Sequence, residues 1–269
     1  MPLTPLDRRY GSAVRSVWAS VLGRTNRAFL GLGSWRDADV RRWQRQALPI
    51  ILAGERQIAT LTASYLEQLY KDADPRGRRT RLDLDAVTGQ ALRGVDPADV
   101  YERPFKDLWT ALGDGVDLDE AVSRGANRLD IIAKTDLQLA RTHTVREVAE
   151  DMPKFEYTVR ELFGEYDCAL CIIASTQRYH KKDLQPIHPG CDCIPKTVTA
   201  DYDPGQVIDE ETLERLHDLV EEAVGKSDRG GRAVDYRKIL VANEHGEIGP
   251  VLGFAGQRFT GPDDIKLPT

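Results

Sequence analysis

All four cysteines of the chain fall within 26 residues, arranged as Cys168-x-x-Cys171, sixteen residues, then His188-Pro-Gly-Cys191-Asp-Cys193. A Cys-x-x-Cys turn can point two thiolates at one ion. A Cys-x-Cys on extended chain puts two more on one face, because strand side chains alternate. Four soft donors converging in this way suit tetrahedral zinc better than a hard cation. His188 makes five candidates for four positions. Cys168, Cys171 and Cys193 form the firm set, with His188 and Cys191 competing for the fourth place. His180, in the run RYHKK, reads as part of an exposed basic turn. Two alternatives stay open on the same residues: a pair of disulfides, which a reducing cytoplasm disfavours, or four plain thiols.

A catalytic zinc keeps one position for water and needs a carboxylate base nearby. Asp167 and Asp192 neighbour the cysteines in sequence, but acidic residues beside such knuckles more often orient ligands or face solvent. The chain has no Gly-rich phosphate loop, no serine in a nucleophile elbow and no His-Glu-x-x-His. The expectation is therefore a structural metal and no enzymatic activity. His143, between Arg141 and Arg146, is either a nucleic-acid contact or a partly exposed helix residue, and the second is the simpler reading. Trp18, Trp35, Trp43 and Trp109 are expected as core anchors more than as base-stacking platforms.

The elements that must position these residues are mostly helical. From Arg36, the residues Val40, Trp43, Ala47, Ile50, Ile51, Ile58, Leu61, Tyr65, Leu66 and Leu69 recur three, four or seven apart. That is the period of one long helix, or two, with a buried face. Pro49, which donates no N–H, predicts a kink. Residues 71 to 81 read as a linker or exposed corner. Asp96-Pro97 starts a second helical stretch with Leu108 and Leu112 on its apolar side. Asp117 with Glu120 resembles a capping box. Ile131, Ile132, Leu137, Leu139, Val145 and Val148 extend the helix towards Met152, and Pro153 stops it. Phe155, Tyr157 and Val159 then alternate with polar residues as in a half-buried strand. A short acidic helix is expected from Asp209, with Leu213, Leu216, Val220 and Val224 inside and Gly225 at its end. The remainder to Thr269 reads as an extended arm.

Length and composition fit this picture. At 269 residues, with 41% hydrophobic and 30% charged residues, the chain can bury a sizeable core in one or two domains. No apolar run approaches the roughly 20 residues that cross a bilayer, and MPLTPLDRRYGSAV lacks the apolar core of a signal peptide. The expected setting is a cytoplasm or a particle assembled there. Net charge is −6, yet residues 1 to 50 carry nine basic against three acidic side chains, leaving 28 against 40 for the rest. A basic N-terminal face meets phosphates or an acidic protein surface, or is only solvated.

The run DCALCIIASTQRYHKKDLQPIHPGCDC, from Asp167 to Cys193, resembles the Mu F-like head morphogenesis, or minor capsid, proteins of tailed phages, especially those infecting actinobacteria. The preceding ARTHTVREVAE segment is similar as well. The likeness is specific in the cysteine region, looser over 117 to 200, and compositional in the N-terminal helices. It implies a mainly α protein in which an N-terminal helical region (1–80), docking on portal or coat, leads into an α+β Mu F-like module (81–200). That module would hold a small zinc-knuckle-like segment at 166–195, and 201–269 would follow as acidic helix and extended arm. It further implies a few copies in the virion, inside the head near the portal. The partners would be the portal protein, the major capsid protein or packaged DNA, and the role would lie in head assembly and DNA packaging or delivery. Some homologues carry protease or toxin domains, which makes a maturation protease or zinc-dependent nuclease the alternative.

Overall fold

The computed structural model describes residues 3–75, 81–163, 169–181, 183–187, 191, 193–199, 214, 217–218, 221, 240–245 and 249–254. The chain is mainly helical with a small antiparallel sheet, and contacts divide it into two units. One comprises Ser12–Thr62 and Leu82–Thr144, the other Met1–Gly11, Ala63–Arg81 and Val145–Thr269. Among the described residues, five helices have residues in the first of these: α1 (Pro5–Leu30), α2 (Asp37–Ala73), α3 (Pro97–Val100), α4 (Arg103–Gly113) and α5 (Leu118–Glu150).

Helix starts follow local chemistry. The Asp7 N–H donates to Thr4 Oγ1 (3.1 Å), and the Thr4 N–H donates back to Asp7 Oδ2 (2.8 Å), a reciprocal cap in front of Pro5. Before α2, Ser34 and the Trp35 N–H donate to Asp39 Oδ2, which holds Trp35 in a left-handed conformation (φ 50°). The expected cap at Asp117 is present, since its Oδ1 accepts the Glu120 N–H at 3.0 Å. Pro49 lies inside α2, which continues as one assigned helix to Ala73.

The all-helical unit packs around aromatic rings. Phe29, Trp43, Tyr101 and Phe105 are fully buried, with Phe29 and Trp43 centroids 5.0 and 5.8 Å from that of Phe105. At Gly125 of α5, a Cβ would lie 2.9 Å from Phe29 Cζ and 3.0 Å from the Pro104 carbonyl, so only glycine allows this approach. Trp18 and Trp43 are core anchors as expected, whereas Trp35 and Trp109 are only half-buried. Leu108 is buried but Leu112 is 39% exposed, which corrects its assignment to the apolar side of α4. The buried face of α4 runs through Pro104, Phe105, Leu108 and Ala111, a stripe at the helical period that leaves Leu112 beyond its edge.

The second unit holds the strands. β1 (Phe155–Glu161) lies between β2 (Tyr179–His180) and β3 (Ile194–Thr199), both antiparallel to it. Pro195, which cannot donate to a ladder, sits in the edge strand β3. The expected strand is present with Phe155 buried, but beyond the irregularity in register between Phe155 and Tyr157 its burial is inverted. Thr158 and Arg160 are buried while Tyr157 and Val159 are only half-buried, because the supposedly polar face is the one covered by the cysteine segment. Tyr10 stacks on Tyr65 at 4.3 Å, and Tyr70 meets Phe155 edge-on at 4.9 Å.

The extended arm expected after Gly225 is also corrected for 240–254. There β4 (Leu240–His245) and β5 (Gly249–Phe254) pair antiparallel, Val251 and Leu252 are buried, and the Leu252 N–H donates to the Pro186 carbonyl at 2.9 Å. Apolar and β-branched residues on both strands supply the ladder that the glycine and proline content of the tail concealed. The expected acidic helix falls mostly outside the described residues, although 214, 217, 218 and 221 are helical.

Candidate functional site

A seven-residue helix, α6 (Ala169–Ser175), presents Cys171, and the extended chain entering β3 presents Cys191 and Cys193. The three sulfurs meet. Cys171 Sγ is 3.2 Å from Cys191 Sγ, which is 3.1 Å from Cys193 Sγ. All three are at least 96% buried, and these separations far exceed the ~2.05 Å of a disulfide bond. Cys168, His188, Asp167 and Asp192 lie outside the described residues. His180 is exposed in β2 with its ring 5.0 Å from that of Tyr157. Among the described residues no three such donors are already arranged to hold an ion. As described, the site is a packed sulfur cluster.

The structure adds two residues that the spacing of cysteines did not reveal. Arg160 of β1 is 95% buried and directs Nη1 at Cys193 Sγ (3.6 Å), and its Nη2 donates to the Gln185 carbonyl. Its guanidinium lies 5.1 Å from the ring centre of Tyr179, whose hydroxyl donates to the Ala174 carbonyl at 2.9 Å. Burial works against the charge of Arg160. The neighbouring Cys193, Tyr179 and Cys191 outweigh it and favour the cation. Burial also pushes the Tyr179 phenol up, against the pull of Arg160. Arg146 braces the same stretch, donating to the Leu184 carbonyl and to Gln185 Oε1, each at 2.7 Å. An arginine at the sixth position of an alternating strand reads as solvent-facing, so the sequence carries no signal for this role.

Two other polar centres are built into the protein. In the strand-bearing unit, Asp7 is fully buried and accepts from the Tyr65 hydroxyl (2.8 Å) and from Lys196 Nζ (3.1 Å). Burial opposes its charge, but the Thr4 N–H, the Tyr65 hydroxyl and Lys196 prevail and hold the carboxyl below its usual range. A cavity of about 680 Å³ adjoins this pair, walled by Arg9, Leu69, Lys154, Phe155 and Val198 among others. In the helical unit, Glu55 accepts the Gly89 N–H (2.7 Å), while Asp136 accepts from Arg93 (2.6 Å) and the Tyr101 hydroxyl (2.8 Å). His143 is half-exposed, in keeping with the simpler reading of it, while Arg141 is buried 5.7 Å from the Trp18 ring centre.

Fold and site together define a mainly helical protein whose small sheet carries a buried three-cysteine cluster. Compared with family models, curated proteins and solved structures, the chain finds no significant match.

Proposed function

We propose that this chain is a structural minor head protein of a tailed bacteriophage, set near the portal inside the head and acting in head morphogenesis and DNA packaging or delivery. The reading rests on the Mu F-like character of residues 167–193 and is supported by one observation above all. Where that segment is described, its sulfurs are buried together instead of lining an open cleft. Closed sites of this kind stabilise folds, whereas catalytic ones keep an accessible position. The N-terminal helices then serve as the docking region for portal or coat protein.

The test is mass spectrometry and electron cryomicroscopy of particles made by the genome that encodes the chain. A few copies per head, beside the portal, are expected. Absence from the particles would overturn the reading. So would a peptidase or nuclease activity of the purified chain that His188→Ala or Asp192→Ala abolishes with the fold intact.

A further inference from the structure

We propose that Cys171, Cys191 and Cys193 are thiolate ligands of one structural zinc ion, and that Arg160 is the buried counter-cation of that site. The argument begins with Arg160. A buried guanidinium needs an anion, because an uncompensated charge away from water costs several kcal/mol on general grounds. Among the described residues Arg160 meets a carbonyl, an aromatic ring and Cys193, and no carboxylate pairs with it. Its Nε is buried without an acceptor, a further donor that its neighbours leave unmatched.

Neutral thiols supply no such charge. Three bare thiolates with neighbouring sulfurs 3.1 to 3.2 Å apart would repel one another strongly. A divalent ion among the sulfurs removes both difficulties. The three thiolates and Zn²⁺ carry a net negative charge, the sign that the Arg160 guanidinium complements. A tetrahedron with Zn–S bonds of ~2.3 Å has edges of about 3.8 Å, so Cys191 Sγ separates from each of its two sulfur neighbours by roughly 0.6 Å. This proposal stands whether or not the chain belongs to a phage head.

The experiment uses the full chain purified under reducing conditions. Metal analysis is expected to give about one zinc per chain, and cobalt substitution the intense near-ultraviolet charge-transfer bands of a thiolate site. Arg160→Gln is expected to weaken zinc binding about 10–100-fold in competition with a chromophoric chelator, the range typical of residues that support ligands. Arg160→Lys, which keeps the charge, should stay closer to wild type. Protein that remains metal-free in excess zinc chloride would overturn the site, as would cobalt spectra without thiolate bands. Unchanged affinity in Arg160→Gln would overturn the role of Arg160. Should that variant fail to fold, wild-type stoichiometry and the cobalt spectrum still decide the metal, and Arg160→Lys with affinity as weak as a charge-free site would decide against the counter-cation.

Discussion

Glu55 concentrates the cost of burying charge in the helical unit. The residue is 98% buried, and its carboxyl faces Asp136, Arg93, Arg56, Tyr101 and the Gly89 N–H. Burial is the largest influence and the charge of Asp136 the next. Together they outweigh Gly89, Arg93 and Arg56 and push the pKa from an ordinary 4.5 up to about 8. The folded protein therefore holds a proton that the unfolded chain releases between those values. Stability contributed by this group is complete below about pH 4.5 and is lost as pH rises towards 8. Urea unfolding from pH 5 to 9 should show stability falling by up to ~1.4 kcal/mol per pH unit from this site. Glu55→Gln, which keeps shape without charge, should flatten the profile, and an unaltered slope would refute the assignment. Nothing in a single sequence marks Glu55 or Arg160 as buried, because charged residues in helices and strands are usually read as solvent-facing. The cysteines, by contrast, announced themselves through spacing, and three of them do converge.

At the scale of elements, what was legible was periodicity. The stripe from Val40 to Leu69 reads as one helical face, and α2 is one helix whose Trp43, Ala47, Ile51, Ile58 and Leu66 are buried. Strand β1 was legible from alternation, but which face is covered depends on residues far along the chain, and there the pattern misled. Strands β4 and β5 were missed because turn-forming residues dominate the composition around them. Pro49 gives a prediction of its own. Its ring removes one N–H from the middle of α2, a defect typically costing ~3 kcal/mol in an ordinary helix. Pro49→Ala should raise the stability of the helical unit by about 1–3 kcal/mol, read as a higher urea midpoint with unchanged m-value. A lower midpoint would mean that the proline ring packs better than the restored hydrogen bond compensates.

Charge is distributed unevenly over the whole molecule. Arg15, Arg24 and Arg27 on α1, and Arg36, Arg41, Arg42 and Arg45 at and within the start of α2, are all exposed, in a chain with a net charge of −6. An acidic chain is an unusual DNA binder, so this surface is expected to meet an acidic protein partner. Association with portal-containing procapsids should weaken as salt rises from 50 to 200 mM, and further in Arg41→Glu/Arg45→Glu protein. Duplex DNA should not be retained under the same conditions. Salt-steep DNA binding lost in that variant would instead assign the face to phosphates.

The ion pair of Asp7 with Lys196 spans 189 positions of sequence and joins the first turn of α1 to the last strand of the small sheet. During synthesis at roughly 5–20 residues per second, about ten to forty seconds separate the appearance of the two partners. Every residue of the helical unit, from Ser12 to Thr144, emerges within that interval. The nascent chain can therefore finish its helical unit while Asp7 in the opening turn still waits for the lysine of a strand not yet translated. Growth of the polypeptide thus imposes an order of assembly in which the cysteine-bearing unit closes last.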